Sequence, residues 1–491
     1  MTYAVRVLGL AVSLSLVSAV ALAPQAKAQS TTAANVYVQI QGPAGAVYGY
    51  SASSTGQLTA IPGSPFKPAG APIGGTTTRF FTMGETLIHS YGIASSGAIG
   101  SQISQIPVFD YAGGSCGAER AGSAEALLDH SGQYIYVLLQ YNADWSCAAY
   151  QTYKINSDGA FTFQGDTEES FGDQTDSNNP SAVDAPSILG NESFAYADLT
   201  DGHLAGPIGF KRESTGTLQV MQFTETDPTL PEGNYTVEYP DASPTGNYVV
   251  FELYPYDSNP PQIGSYTVDS AGNISSTNTS SDMPTSGLEA PSSTFSPDGK
   301  LYVLYGDQEG AGGSGNGIEI YSFNGASPLT LYTSLLTGTQ IDQVAWDSSN
   351  HMYAMSSHTN KLYVFTVTST SVTQDSELSI GSPFWMVVAS QAATSGGGGA
   401  CSAPQSNGVN VCSPANGATV TSAVQINAAA TVSGGVYRFE LWNGSTKLLS
   451  IDNSGIMDQP LSLAPGSYKL TFDAYNTAGT HEYAYSDITV Q

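Results

Sequence analysis

The chain is poor in positive charge, in charge of either sign and in cysteine. Its 491 residues include 13 lysines and arginines against 41 acidic residues, and charged side chains make up only 11%. The scarcity of basic side chains argues against nucleic acid and anionic membranes as partners. Low total charge also argues against a disordered polyanion. A net charge of -28 suits cations, a small polar ligand, a carbohydrate or a surface protein as partner, or serves solubility alone.

Long apolar runs are confined to the N-terminus, so no membrane span is predicted in the rest of the chain. Arg6 precedes an apolar segment over Val7–Ala23, and Ala26-Lys27-Ala28 follows as a small-residue cleavage motif. This order of features is typical of a secretory signal peptide. We therefore expect residues 1–28 to be removed and the protein to be secreted, periplasmic or held at the cell surface.

Only four cysteines are present, and they form two pairs that are local in sequence: Cys116 with Cys147, and Cys401 with Cys412. Export to an oxidising compartment favours two disulfides. Neither spacing is that of a zinc knuckle, although free thiols stay possible at this stage.

The chain is rich in glycine and tyrosine. Their distribution predicts many short strands joined by turns. The clearest unit is the turn Ser296-Pro297-Asp298-Gly299-Lys300, the strand Leu301–Tyr305 and a second strand over Gly317–Ser322. Degenerate copies of this turn recur about every 50 residues, which is the signature of a β-propeller with one blade per repeat. Residues 35–390 have room for seven blades, and we predict that Trp385-Met386-Val387-Val388 pairs with the first blade to close the ring.

These motifs, together with the blade ending Gly63-Ser64-Pro65-Phe66 and its echo Gly381-Ser382-Pro383-Phe384, resemble the lactonase-type propellers of the 6-phosphogluconolactonase-like group. The resemblance implies a seven-bladed fold over residues 35–390. It also implies a histidine near the start of innermost strands, a few residues before the turn proline. No histidine stands at the five corresponding positions: Ala124-Glu125, Val183-Asp184, Glu238-Tyr239, Pro291-Ser292 and Asp342-Gln343.

Residues 391–400 contain Ser395 followed by four glycines, and this composition predicts a flexible linker. Residues 401–491 then show regular short strands, which predict a β-sandwich. Ala464-Pro465-Gly466-Ser467-Tyr468 resembles the corner between two strands in bacterial immunoglobulin-like domains. The predicted fold is therefore all-β, with a propeller followed by an immunoglobulin-like sandwich.

Four of these five strand-opening positions carry a carboxylate instead of a histidine. If the repeats are in register, Glu125, Asp184, Glu238 and Asp342 surround one mouth of the channel. Hard cations prefer oxygen ligands, so these residues are candidate metal ligands, with Ca²⁺ the expected ion. The alternative is a solvated acidic rim that binds no ion.

Two functional hypotheses follow. In the first, the protein is an exported, non-catalytic binding protein whose sandwich is a spacer or adhesive module. In the second, it is an exported lactonase-like hydrolase of a sugar-acid lactone, with Glu125, Asp342 and His89 acting through a divalent cation.

Overall fold

The structure is a computed structural model, and every regular element among the residues that it describes is a β-strand. The described residues are 32–41, 45–108, 121–141, 147–170, 182–183, 186–200, 205–223, 235–255, 262–275, 282–288, 291–306, 315–325, 328–390, 404, 406–414, 416–420, 424–452, 455–461 and 463–490. Within these ranges there is no helix that could cross a bilayer.

The first 28 strands supply seven sheets, and each sheet is one blade of a propeller. The first three blades contain β1 (Thr32–Ile40), β2 (Val47–Ser53), β3 (Leu58–Ala60); β4 (Ala71–Gly75), β5 (Arg79–Met83), β6 (Leu87–Ile93), β7 (Ile99–Pro107); β8 (Ala121–Leu128), β9 (Tyr134–Tyr141), β10 (Cys147–Ile155) and β11 (Phe161–Ser170). The fourth and fifth contain β12 (Ala182–Val183), β13 (Ser187–Ile188), β14 (Phe194–Thr200), β15 (Ala205–Arg212), β16 (Leu218–Phe223); β17 (Tyr235–Ala242), β18 (Tyr248–Pro255), β19 (Gln262–Val268) and β20 (Ile274–Ser275). The sixth and seventh contain β21 (Pro291–Phe295), β22 (Leu301–Gly306), β23 (Gly317–Ser322), β24 (Thr330–Leu335); β25 (Gln343–Trp346), β26 (His351–Ser356), β27 (Lys361–Val367) and β28 (Val372–Ser379).

Strand β29 (Pro383–Ser390) closes the ring, as the sequence predicted. It pairs antiparallel with β1, placing Met386 opposite Val38 and Val387 opposite Tyr37. The innermost strands β29 and β4 contact each other, and so do β25 and β29, so the first blade joins both neighbours. This blade, made of β29, β1, β2 and β3, is called the closing blade below. Strand β1 pairs with β2 on one side and with β29 on the other, so the N-terminal strand has no free edge.

The Pro-Asp-Gly turn joins an innermost strand to the second strand of its blade. The Ser296 side chain accepts a hydrogen bond from the Leu301 amide at 3.0 Å and donates one to Asp298 at 2.7 Å. Gly299 has a φ of +66°, and a Cβ there would lie 2.3 Å from the Thr245 hydroxyl of the preceding blade. Glycine is therefore required both by the backbone conformation and by the close approach of two blades. We call this end of the ring the lower rim, and the end where innermost strands begin the upper rim.

Tyrosines tie neighbouring blades together by a contact that repeats around the ring. A tyrosine hydroxyl on a second strand donates to the carbonyl of a turn glycine in the next blade: Tyr37 to Gly97 at 2.7 Å, Tyr136 to Gly216 at 2.8 Å and Tyr196 to Gly272 at 2.8 Å. Burial raises the pKa of all three tyrosines, so they stay neutral donors. The repeat of tyrosine and glycine thus follows from the geometry of blade packing.

The C-terminal strands form a β-sandwich. One sheet contains β30 (Gly408–Ser413), β32 (Val424–Thr431) and β35 (Ile456–Leu461); the other, in spatial order, contains β31 (Thr419–Val420), β37 (His481–Val490), β36 (Gly466–Tyr475), β33 (Arg438–Asn443) and β34 (Thr446–Asp452). Aliphatic and aromatic side chains from both sheets, such as Ile426 and Phe472, share one buried core. The Tyr468 hydroxyl donates to the Ala464 carbonyl at 2.7 Å, a hydrogen bond of the tyrosine-corner type within the segment that resembles an immunoglobulin-like corner.

Only part of the disulfide prediction can be compared with the described residues. The described residues include no free cysteine, and Cys412 on β30 is disulfide-bonded. Cys116 and Cys401 lie outside the described residues, so both pairings stay predictions.

Candidate functional site

Three of the four predicted carboxylates lie on, or directly before, innermost strands of the described residues. Glu125 lies on β8 opposite Leu138 and is exposed, while Glu238 lies on β17 opposite Glu252. Asp342 immediately precedes β25. Asp184 lies outside the described residues. No group of three or more metal-binding side chains is found in the described ranges, and the ring of four carboxylates, one of which lies beyond them, stays a prediction.

Asp342 holds the neighbouring hairpin of the upper rim. Its Oδ1 accepts a hydrogen bond from the Ser357 hydroxyl at 2.7 Å, and its Oδ2 accepts one from the Ser357 amide at 2.5 Å. His358 follows Ser357 in the turn between β26 and β27 and is exposed. A carboxylate has about four lone-pair positions, so Asp342 keeps capacity for a further donor or a cation.

The closing blade adds two aromatic residues to this rim. Phe384 and Trp385, near the start of β29, keep 55% and 43% of their surface exposed. The next residue, Met386, is clasped by Gln343 of β25: its amide donates to Gln343 Oε1 at 2.7 Å, and its carbonyl accepts from Nε2 at 3.0 Å. Because Gln343 follows Asp342 directly, the clasp brings the carboxylate and the aromatic pair to adjacent innermost strands.

Sequence reasoning did not single out these aromatic residues as a site. The alternation of a strand would bury one of two adjacent side chains. Two large aromatic residues directly after Gly381-Ser382-Pro383, at the opening of the strand, are the signal that could have identified them.

His89, which the hydrolase hypothesis names, is packed inside the propeller. His89 lies on β6, the third strand of its blade, and is only 5% exposed. Burial lowers the pKa of His89, and its Nδ1 has no hydrogen-bond partner. His89 is therefore a buried neutral side chain between blades rather than a residue of the upper rim.

His351 lies at the lower rim in a buried network. Its Nδ1 is 2.8 Å from Asp347 Oδ2, which also accepts from the Tyr353 hydroxyl at 2.8 Å. The hydrogen bond to Asp347 raises the pKa of His351, and the histidine in turn helps to lower the pKa of Asp347 against the opposing effect of burial. These partners brace the turn between β25 and β26.

Comparison with known proteins supports both halves of the fold. Residues 408–484 match the family model of the bacterial Ig domain. Solved propellers resemble the larger part: a candidate 6-phosphogluconolactonase from Bacteroides uniformis (11% identity, 73% of this chain and 100% of that chain covered, TM-score 0.52), a protein from Lactobacillus plantarum (12%, 73% and 99%, 0.51), and the periplasmic gluconolactonase of Pseudomonas aeruginosa (14%, 73% and 99%, 0.50). A search of the curated proteins finds no match. At these identities the likeness establishes the lactonase-type propeller fold and nothing finer.

Proposed function

We propose that this chain is an exported, non-catalytic binding protein, whose propeller binds a small polar ligand at the upper rim. The observation that carries the proposal is the exposure of Phe384 and Trp385 at the opening of β29, whose next residue, Met386, is bound by Gln343, the residue after Asp342. Exposed aromatic rings next to a polar group are typical of a ligand site, since the ring contacts an apolar face of the ligand and the carboxylate fixes its orientation.

Export rests on the N-terminal segment 1–28, which lies outside the described residues, and on the appended Ig domain. The periplasmic location of the Pseudomonas aeruginosa neighbour agrees with export. The acidic composition also favours an uncharged or cationic ligand over a phosphorylated one.

The aromatic pair gives a direct test by tryptophan fluorescence. Glucose, gluconate, glucono-δ-lactone and a neutral disaccharide are titrated as probes, and at least one is expected to give a saturable change. Trp385→Phe should remove most of the signal, and Phe384→Ala should weaken binding about tenfold, which is ~1.4 kcal/mol. Trp442→Phe in the sandwich is the matched control and should leave the titration unchanged. No saturable change with any probe would contradict the proposal.

The rim carboxylates give a second prediction, that of a calcium site. Saturating Ca²⁺ should raise the melting temperature, because a ligand that binds only the folded state stabilises it, by about 2.7 kcal/mol at a concentration of 100 times Kd. Glu125→Gln combined with Asp342→Asn should abolish the shift. Asp269→Asn, an exposed acid at the lower rim, is the control. An identical melting curve with and without Ca²⁺ would rule out the site.

Lactone hydrolysis is the second candidate function. It is favoured by two structural neighbours described as lactonases and by the placement of Asp342 and the exposed His358 on the same rim. A panel of sugar-acid lactones with Ca²⁺ or Mn²⁺ separates the two functions. Turnover by the wild type that is lost in Glu125→Gln or His358→Ala would show that the protein is a hydrolase and would contradict the binding proposal. No turnover with any lactone would rule out the hydrolase hypothesis.

A further inference from the structure

The outer face of the five-stranded sandwich sheet carries a continuous strip of aromatic side chains. Tyr475, His481, Tyr483 and Tyr485, named here the aromatic strip, all point away from the core. Tyr483 and Tyr485 keep 54% and 65% of their surface exposed. Successive ring centroids lie 5.3, 5.9 and 5.4 Å apart. Contiguous exposed aromatic side chains on one sheet face are typical of an interaction surface.

One half of the aromatic strip is held in place before any partner binds. Asp473 accepts a hydrogen bond from the Tyr475 hydroxyl at 2.5 Å and lies 2.9 Å from His481 Nδ1. These bonds hold the two rings stacked, with an interplanar angle of 9°. A surface fixed in this way loses little conformational entropy on binding.

Polar side chains stand beside the rings in register across the sheet. Tyr485 is opposite Thr471, which is opposite Trp442 on the next strand, and Tyr483 is opposite Asp473. Glu440 accepts from the Trp442 ring at 3.1 Å and from Lys447 at 3.2 Å. The face therefore alternates aromatic rings with hydrogen-bonding groups.

Charge on this face is locally compensated, unlike the chain as a whole. Two cations, Lys447 at 3.2 Å and Arg438 at 4.0 Å from Glu440, balance the two acids Glu440 and Asp473, and Asp473 is also hydrogen-bonded to Tyr475 and His481. The net charge of -28 on the whole protein repels polyanions. Because this face has no excess charge of its own, it does not attract a strongly charged partner of either sign.

We infer that the aromatic strip binds a neutral polysaccharide. A sugar ring has an apolar face of C–H bonds and a rim of hydroxyl groups, so it can stack on a tyrosine while it bonds to the adjacent carboxylates and hydroxyls. The strip extends over several rings, which matches a chain of sugars rather than a single one. This site lies in the sandwich and does not depend on the ligand proposed for the propeller.

The test measures retention of the mature full-length protein on cellulose, chitin, xylan and a β-1,3-glucan, with affinity electrophoresis for the soluble polymers. Binding to at least one is expected, and each of Tyr483→Ala and Tyr485→Ala should weaken it about tenfold, or ~1.4 kcal/mol. Both side chains are exposed, so melting temperature and circular dichroism should not change.

Ile456→Ala is the matched control, since it removes an apolar side chain that is 56% exposed on the other sheet of the sandwich, and it should leave retention intact. The same variants distinguish this inference from the proposed function, because Tyr485→Ala should leave the small-ligand titration unchanged. No retention on any neutral polymer, or retention that survives the double tyrosine variant, would overturn the inference. So would a double variant that changes only the oligomeric state, because the face would then be an interface between copies of the chain.

Discussion

Replacing Arg212 with leucine is expected to lower the free energy of unfolding of the propeller by about 3–5 kcal/mol. Arg212 joins two blades at the lower rim. Its Nη2 lies 3.1 Å from Asp129 Oδ2, its Nη1 lies 2.5 Å from Glu192 Oε2, and its Nε donates to the Tyr136 hydroxyl at 2.7 Å. The Asp129 side chain has 0% exposure, so the variant leaves a buried carboxylate without its counter-ion.

The size of this effect follows from the crowding of two carboxylates around one guanidinium. Burial and the nearby Asp129 raise the pKa of Glu192 to about 7 even with Arg212 present. Once the cation is removed, one carboxylate must take up a proton or repel the other. Urea unfolding followed by circular dichroism measures the loss.

Lys211→Leu is the matched control for the Arg212 experiment. Lys211 is the preceding residue, its side chain is 53% exposed, and it pairs only with the exposed Glu213 among the described ion pairs. Exposed pairs contribute about 0–1 kcal/mol, so the control should be close to wild type. Adding Asp129→Asn to Arg212→Leu should recover part of the loss, because the amide oxygen still accepts the turn amides of Gln133 and Tyr134. Equal stabilities of Arg212→Leu and Lys211→Leu would show that the cluster contributes nothing.

The repeat explains why the fold could be predicted from sequence. The turn around Pro297 and Asp298 is a local signal, and its copies gave the blade period and the closing strand without any long-range information. Local pattern was insufficient where the blade is irregular. The innermost strand of the fourth blade is split into β12 and β13, so the positions before Leu189 could not be placed in register.

The side-chain clusters could not be predicted, because each joins distant segments. Arg212 meets Asp129 across 83 residues of chain, and only the closed ring brings their blades together. The upper rim is also built from distant segments. Gln343, the residue after Asp342, is hydrogen-bonded to Met386, the residue after Trp385, although 43 residues of chain separate them. In the sandwich, the alternation of Tyr483 and Tyr485 was visible in the sequence, but the outward direction of those residues depends on which face of β37 covers the core.

A buried carboxylate predicts how stability depends on pH. Asp241 lies at the end of β17, between two other innermost strands, and accepts hydrogen bonds from the Phe295 amide and the Ser187 hydroxyl. Its Oδ2 is shut off from solvent and has no partner, although the residue as a whole keeps partial exposure. Burial raises the pKa of Asp241 from 3.8 to about 7 in spite of these bonds.

The sign follows from proton binding in the two states. From about pH 4 to pH 7 the unfolded chain has lost this proton while the folded protein keeps it, so this group's contribution to stability falls as pH rises through that window. Asparagine stays neutral at every pH. The free energy of unfolding of Asp241→Asn, relative to that of wild type, should therefore rise by on the order of 3 kcal/mol from pH 4 to pH 8. The difference between the two urea-unfolding curves at each pH isolates this group from the other carboxylates.

Asp269→Asn is the contrasting control. Hydrogen bonds to Asn273 lower the pKa of Asp269, so the contribution of Asp269 to stability is present above its unfolded pKa and is lost as pH falls. Parallel pH profiles for wild type and Asp241→Asn would mean that the enclosed carboxylate is ionised in the folded protein.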